Sequence, residues 1–182
     1  YQQGIELSTE TPKEILQYAV GALLYTPASY PKIVETLSMQ AYPDLKSWAF
    51  CLEDSLTDQA ADQAAEQLID SLKRLAAAVQ SGHCAQDQLP LLFIRVRSAQ
   101  QMTALFDRLA DIDWLLCGFI APKFERSNMT AYMQALREIN ARSSHTLYLM
   151  PILESPAIIH QESRLAELLA VKAALDDAGD LI

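Results

Sequence analysis

Six side chains able to do chemistry stand at four comparable places in this sequence. Glu53 and Asp54 follow the apolar run Trp48-Ala49-Phe50-Cys51-Leu52, and Arg95 and Arg97 lie at the far end of the run from Leu89 to Val96. Lys123 follows the run from Trp114 to Ala121, and Glu154 ends the run from Thr146 to Leu153. Carboxylates from separate segments hold Mg²⁺, a hard cation that takes oxygen ligands and keeps several waters. An arginine clamps a carboxylate through two parallel hydrogen bonds. A metal beside a carbonyl stabilises a developing enolate. Together these groups suit making or breaking a carbon–carbon bond next to a carbonyl. Any one charge closing a strand is ordinary as the solvated start of a loop, and Glu53-Asp54 could instead anchor a helix N-terminus. Agreement at four strand ends argues for a shared site.

For such residues to meet, the elements before them must point the same way. The apolar runs are nearly unbroken rather than alternating, as in parallel strands buried on both faces. Helical segments separate them. Thr11-Pro12-Lys13-Glu14 predicts a capping box, with Pro12 at the first helical position and a helix to about Val20. A first strand is expected at Ala22–Thr26, and a helix at about Pro31–Gln40. A long helix should start near Thr57, with Ala61, Ala65, Leu68, Leu72, Leu75 and Val79 on one stripe. Ser98-Ala99-Gln100-Gln101 predicts a second capping box before the stripe Met102, Leu105, Phe106 and Leu109. Met129, Tyr132, Met133, Leu136 and Ile139 mark the next helix. A last helix carries Leu165, Leu168 and Leu169, and Asp180-Leu181-Ile182 could open a sixth strand. Strand–helix alternation at this spacing means α/β, with no linker and one domain over residues 1–182. The C-terminal ends of parallel strands form one rim, where both barrels and doubly wound sheets put their ligands.

Composition excludes several classes. With 14 Lys and Arg against 23 Asp and Glu the net charge is −9, which argues against nucleic-acid partners and against an anionic membrane surface. No apolar run is long enough to span a bilayer. Cys51, Cys84 and Cys117 form neither a disulfide framework nor a compact zinc site, and free thiols suit a cytoplasmic protein. No Walker loop, GxGxxG or GxSxG is present. His83, His145 and His160 read as loop or structural histidines.

Five blocks carry a resemblance: Leu24-Tyr25-Thr26-Pro27-Ala28, Cys51-Leu52-Glu53-Asp54-Ser55, Phe93-Ile94-Arg95-Val96-Arg97, Ala121-Pro122-Lys123-Phe124-Glu125 and Pro151-Ile152-Leu153-Glu154-Ser155. In order and spacing the chain resembles the HpcH/HpaI aldolase and citrate lyase β-subunit family. The approach Tyr42-Pro43-Asp44-Leu45 is closer to the citrate-lyase-like branch of tellurium-resistance operons. The resemblance implies a TIM barrel that binds Mg²⁺ and cleaves or forms carbon–carbon bonds in acyl-CoA thioesters or 2-oxo acids. It implies that Glu154 is a metal ligand and that Arg95 holds substrate. Glu53 and Asp54 match the acidic pair near metal and arginine, and Lys123 matches the lysine ending the fourth strand. It also implies a homo-oligomer. Arg97, assigned beside Arg95 to substrate binding, stands where citrate lyase relatives usually have Asn. The first loop, Ala28-Ser29-Tyr30-Pro31, lacks their Gly.

A (β/α)₈ barrel needs about 250 residues, whereas the sequence supplies the first five to six βα units. The chain also begins at Tyr1 without Met or a leader. The expectation is an incomplete barrel from a longer protein, with the second metal carboxylate beyond residue 182. Two other readings stand beside the metal lyase. One is a Schiff-base aldolase with Lys123 as nucleophile; the other is a non-catalytic barrel subunit for binding or assembly.

Overall fold

A computed structural model describes residues 7–9, 11–54 and 58–182. Its sheet contains five parallel strands: β1 (Leu23–Pro27), β2 (Ser47–Cys51), β3 (Leu91–Arg95), β4 (Leu116–Ala121) and β5 (Tyr148–Pro151). Their spatial order is their chain order, each hydrogen-bonded to the next. A doubly wound sheet reverses its strand order at a switch point. This sheet never reverses, so it winds as a TIM barrel does, and the architecture is that α/β fold over five consecutive strands.

The α-helices are α1 (Lys13–Ala19), α2 (Ile33–Ser38), α3 (Asp58–Gln80), α4 (Ala99–Leu109), α5 (Met129–Asn140), α6 (Pro156–Ile159) and α7 (Gln161–Ala178). On the outer face, α2, α3, α4, α5 and α7 pack in succession around a core that includes Trp48, Phe50, Leu92, Ile94, Phe106, Phe119 and Leu149. The inner face holds a smaller cluster of Ala49, Leu91, Phe93, Cys117 and Ile120, closed by Leu16 of α1. Side chains of one strand thus divide between two apolar layers, which explains the unbroken hydrophobic runs. The Trp48 indole N–H, buried against the helices, donates to Thr26 Oγ1 at 2.8 Å and ties β1 to β2.

Between β3 and β4 the register slips: Leu92 pairs with Leu116 and Phe93 with Gly118. Cys117 is the extra residue of a bulge, and its buried thiol is pushed up to about 12 by desolvation. At Gly118 an added Cβ would lie 2.0 Å from the Tyr148 carbonyl oxygen, so only glycine lets β5 approach β4 this closely.

Several local expectations need correction. No capping box forms at α1, because Thr11 Oγ1 accepts the Ser8 N–H and Pro12 is itself the N-cap. At α4, Ser98 Oγ does accept the Gln101 N–H, but Gln101 Oε1 reaches back to the Arg97 N–H rather than to Ser98. The expected start of α3 near Thr57 lies outside the described residues; the helix is described from Asp58. On α7 the packed residues are Val171, Leu175 and Ala178, while Leu165 and Leu169 are exposed. Their four-residue spacing is a helical stripe, but on another face from the one that meets α5. Residues Gly179–Leu181 form a 3₁₀ turn, not the start of a sixth strand. Among the described residues no helix is long and apolar enough to cross a membrane.

Candidate active site at the C-terminal rim

All five strands point the same way, so their ends form a single rim. Backbone pairing continues past the strands and stiffens it. Leu52 donates to the Arg95 carbonyl at 2.9 Å, Val96 to Ile120 at 3.2 Å, Ile152 to Ala121 at 2.8 Å and Phe124 to Ile152 at 2.9 Å. Side chains several dozen residues apart in sequence are therefore held by a rigid ladder.

Arg95 sits at the centre. It shares the inner face with Leu91 and Phe93, four and two positions earlier on β3. One nitrogen, Nη2, lies 2.7 Å from Glu53 Oε2, 2.9 Å from Asp54 Oδ2 and 2.8 Å from Glu154 Oε1. Lys123 Nζ pairs with Glu53 Oε1 and lies 3.4 Å from Asp54 Oδ1. The Lys123 backbone N–H reaches Glu154 Oε1 at 3.4 Å. Sequence reasoning thus placed five of its six candidates in one cluster, contributed by the ends of four strands. Glu53 and Arg95 are nearly enclosed, at 12% and 11% side-chain exposure, whereas Asp54 and Lys123 are 59% and 56% exposed. The cluster has a dry inner side and a wet mouth.

The sixth candidate is differently placed. Arg97 Nε donates to the Leu52 carbonyl at 2.6 Å and Nη2 to the Glu53 carbonyl at 3.2 Å. These contacts steady the backbone that carries the acidic pair, rather than presenting the guanidinium to the carboxylates around Arg95. This difference is not legible in the sequence, because strand parity puts positions 95 and 97 on the same side. Tyr25 of β1 also belongs to the site: its ring lies 5.9 Å from the Arg95 guanidinium carbon, an approach that its residue type alone does not signal. Cation–π attraction across the mouth follows from that approach.

Electrostatics follow the geometry. Asp54 is held below the usual carboxylate range by its hydrogen bond with the Glu53 side chain and by the Arg95 and Lys123 cations. Lys123 is pushed above its ordinary value by its hydrogen bond to Glu53, reinforced by Asp54. Three acidic side chains face two cations here. Oxygens of Glu53, Asp54 and Glu154 all lie within 4.8 Å of one another, so these residues could hold a metal ion. The donors are all hard oxygens, and Arg95 Nη2 already shows that a cation fits among them. Among the described residues Arg95 Nε is buried without a hydrogen-bond partner.

Other features do not join this site. Two ring nitrogens face local groups: Ser81 Oγ lies 2.7 Å from His83 Nδ1, and the Leu116 carbonyl lies 2.8 Å from His145 Nε2. A cavity of about 370 Å³, bounded by Leu37, Tyr42, Trp48 and Pro90, opens near the opposite ends of β2 and β3.

A barrel-type parallel sheet with a charged cluster on its C-terminal rim defines a class of enzyme scaffold. The particular family follows from comparison with known proteins: the model of the C–C bond lyases of the TIM-barrel fold matches residues 14–182. The chain belongs to that family. No curated protein matches it.

Proposed function

We propose that the protein is a Mg²⁺-dependent carbon–carbon bond lyase of the citrate lyase β-subunit-like type, acting on an acyl-CoA or 2-oxo-acid substrate. The observation that carries this reading is the ring of three carboxylates around one arginine nitrogen, drawn from the ends of β2 and β5. Glu154, with the acidic pair Glu53 and Asp54, would hold the metal. When bound, Mg²⁺ supplies a Lewis acid for the oxygen of the carbonyl next to the reacting bond.

The chain's own residues do the rest. Arg95 binds a substrate carboxylate through its planar fork and fixes the reacting end of the molecule. Its enclosed position strengthens that contact, since water screens it less. Glu53 and Asp54 hold Arg95 in place and balance its charge. Lys123 holds a proton at Nζ beside them, a fixed positive charge at the mouth. This reading expects a small anionic substrate, a homo-oligomeric assembly and a cytoplasmic setting.

Lys123 does not favour the Schiff-base alternative. A nucleophilic lysine is desolvated and shifted toward neutrality; Lys123 is half exposed, paired with carboxylates and shifted toward the ammonium form.

The test is thermal unfolding with and without Mg²⁺. Saturating metal at a hundred times its dissociation constant stabilises by about 2.7 kcal/mol, or roughly 5–10 °C for a domain of this size. The wild type should show that rise and Glu154→Ala should not. A wild type indifferent to Mg²⁺ contradicts the metal-dependent reading.

A further inference from the structure

Lys123 adopts an unusual backbone conformation. Its φ is +48°, in the left-handed region that residues with a Cβ enter only when their surroundings hold them there. Lysine has no local hydrogen bond of its own to favour this region, unlike Asn or Asp. Gln40, after α2, also has a positive φ, but it contacts none of the charged groups of the rim described above.

The surroundings that hold Lys123 converge on one side chain. Asn128 Nδ2 donates to the Lys123 carbonyl at 3.0 Å, and Asn128 Oδ1 accepts the Glu125 N–H at 3.0 Å. Asn128 is the N-cap of α5, where an asparagine normally turns its oxygen to the first N–H groups of its own helix. Here it makes no such bond. Both ends of its amide are used on the turn that precedes the helix. The Asn128 N–H completes the tie by donating to the Glu125 carbonyl at 3.1 Å.

The left-handed turn has consequences at the rim. It aims the Lys123 N–H at Glu154, while the side chain reaches Glu53 and Asp54. One residue after β4 thus touches carboxylates from the ends of β2 and β5.

We propose that Asn128 is a positioning residue, a clamp whose amide holds Lys123 in the left-handed turn and thereby places its N–H and ammonium against the three carboxylates. Its bearing on catalysis rests on the lyase reading; the clamp itself needs neither metal nor substrate.

Nuclear magnetic resonance of the whole chain reads the clamp through the Cα and Cβ shifts and the N–H to Hα coupling of Lys123. Asn128→Ala removes both contacts. Asn128→Asp keeps an oxygen for Glu125 but has no N–H for the Lys123 carbonyl, and it carries the test if the alanine variant does not fold. In both variants the Lys123 signals should leave the left-handed range while those of α5 beyond its first turn stay in place. Adding Lys123→Gly to Asn128→Asp should restore most of any lost thermal stability, because glycine needs no clamp to turn this way. Left-handed Lys123 signals in the folded variants would overturn the proposal. The Mg²⁺ response, measured in parallel, separates the two ideas. If the wild type ignores Mg²⁺ but Lys123 moves in the variants, the metal reading fails and the clamp stands. If Mg²⁺ stabilises the wild type but Lys123 does not move, the reverse holds.

Discussion

The two ends of the sheet treat charge in opposite ways. At the N-terminal ends of β4 and β5, Asp113 is 3% exposed and fully provided for. Its oxygens accept the Ser143 hydroxyl at 2.8 Å, the Ser144 N–H at 2.8 Å and the Ser144 hydroxyl at 2.6 Å. One anion meets three donors, all from a single short turn. At the C-terminal rim one arginine nitrogen meets three carboxylates from two distant strand ends, and the cluster opens to water. The lower end is arranged as a structural tie would be, satisfied and local. The rim gathers like charges that repel one another unless a cation lies among them. An arrangement with an excess of ligands around a cation is wasteful for stability and useful for binding. The comparison agrees with the division of labour in TIM barrels, with chemistry at the strand C-termini and stability at the other face.

Arg95→Met tests the contrast most severely. Removing the cation leaves three carboxylates with more negative potential, so Mg²⁺ should bind more tightly, by about tenfold for a change near 1.4 kcal/mol. Turnover should nevertheless fall by roughly 10³-fold, the scale for a lost substrate-orienting charge. Calorimetric titration with Mg²⁺ and an assay on oxo-acid and acyl-CoA substrates give both numbers. Weaker Mg²⁺ binding in a folded variant would mean that the rim is an ion-pair network and not a metal site.

The lower end should show the reverse pattern. Asp113→Ala leaves the Ser143 and Ser144 donors without their acceptor and should cost about 3 kcal/mol. That corresponds to a midpoint drop of roughly 6–12 °C, with the Mg²⁺ affinity unchanged. Equal loss of metal binding would erase the distinction between the two ends.

A smaller effect distinguishes them by pH. Asp113 is held below its ordinary value of 3.8 by hydrogen bonds from Ser144 and Ser143 that outweigh the opposing effect of burial. Its folded pKa is depressed, so its stabilising contribution is complete above the unfolded pKa and is lost as pH falls through the folded one. Urea unfolding from pH 6 to pH 2 should show the difference between wild type and Asp113→Asn constant at first, then shrinking below about pH 4. A difference that grows on acidification contradicts the assignment.

How much of this was legible in the sequence depends on how local each cause is. The strands, their parallel sense and the convergence of Glu53, Asp54, Arg95, Lys123 and Glu154 could be read because unbroken apolar runs with charged ends encode them directly. The α7 stripe misled because Leu165 and Leu169 have helical spacing, and spacing alone does not say which face finds a partner. The role of Asn128 is not legible because it is a bond back to a strained turn, and neither that turn nor the conformation of Lys123 has a mark in the sequence. The capping box at Thr11 failed since Pro12 took the cap position. The packed face of α7 is a choice made by tertiary packing, whereas the α1 cap and the Asn128 bond are local choices that residue type leaves open.

Arg97 is where the sequence expectation and the geometry part, and it allows the finest test. Its place beside Arg95 suggests substrate binding, although the resemblance has Asn there, yet Arg97 donates to the carbonyls of Leu52 and Glu53. Arg97→Met should therefore cost stability, about 1.5 kcal/mol, the low end for charged donors because the site is only half-buried. It should change the substrate KM far less than Arg95→Met does, since its contacts act on the backbone beneath Glu53. Lysine at position 97 should recover only part of the loss, because one ammonium cannot span two carbonyls in the way a planar fork does. Steady-state kinetics and urea unfolding on the three variants separate the roles. A KM increase for Arg97→Met as large as that for Arg95→Met, with unchanged stability, would return Arg97 to the substrate. It would also make the dry inner wall of the rim, and not only its mouth, part of the binding surface.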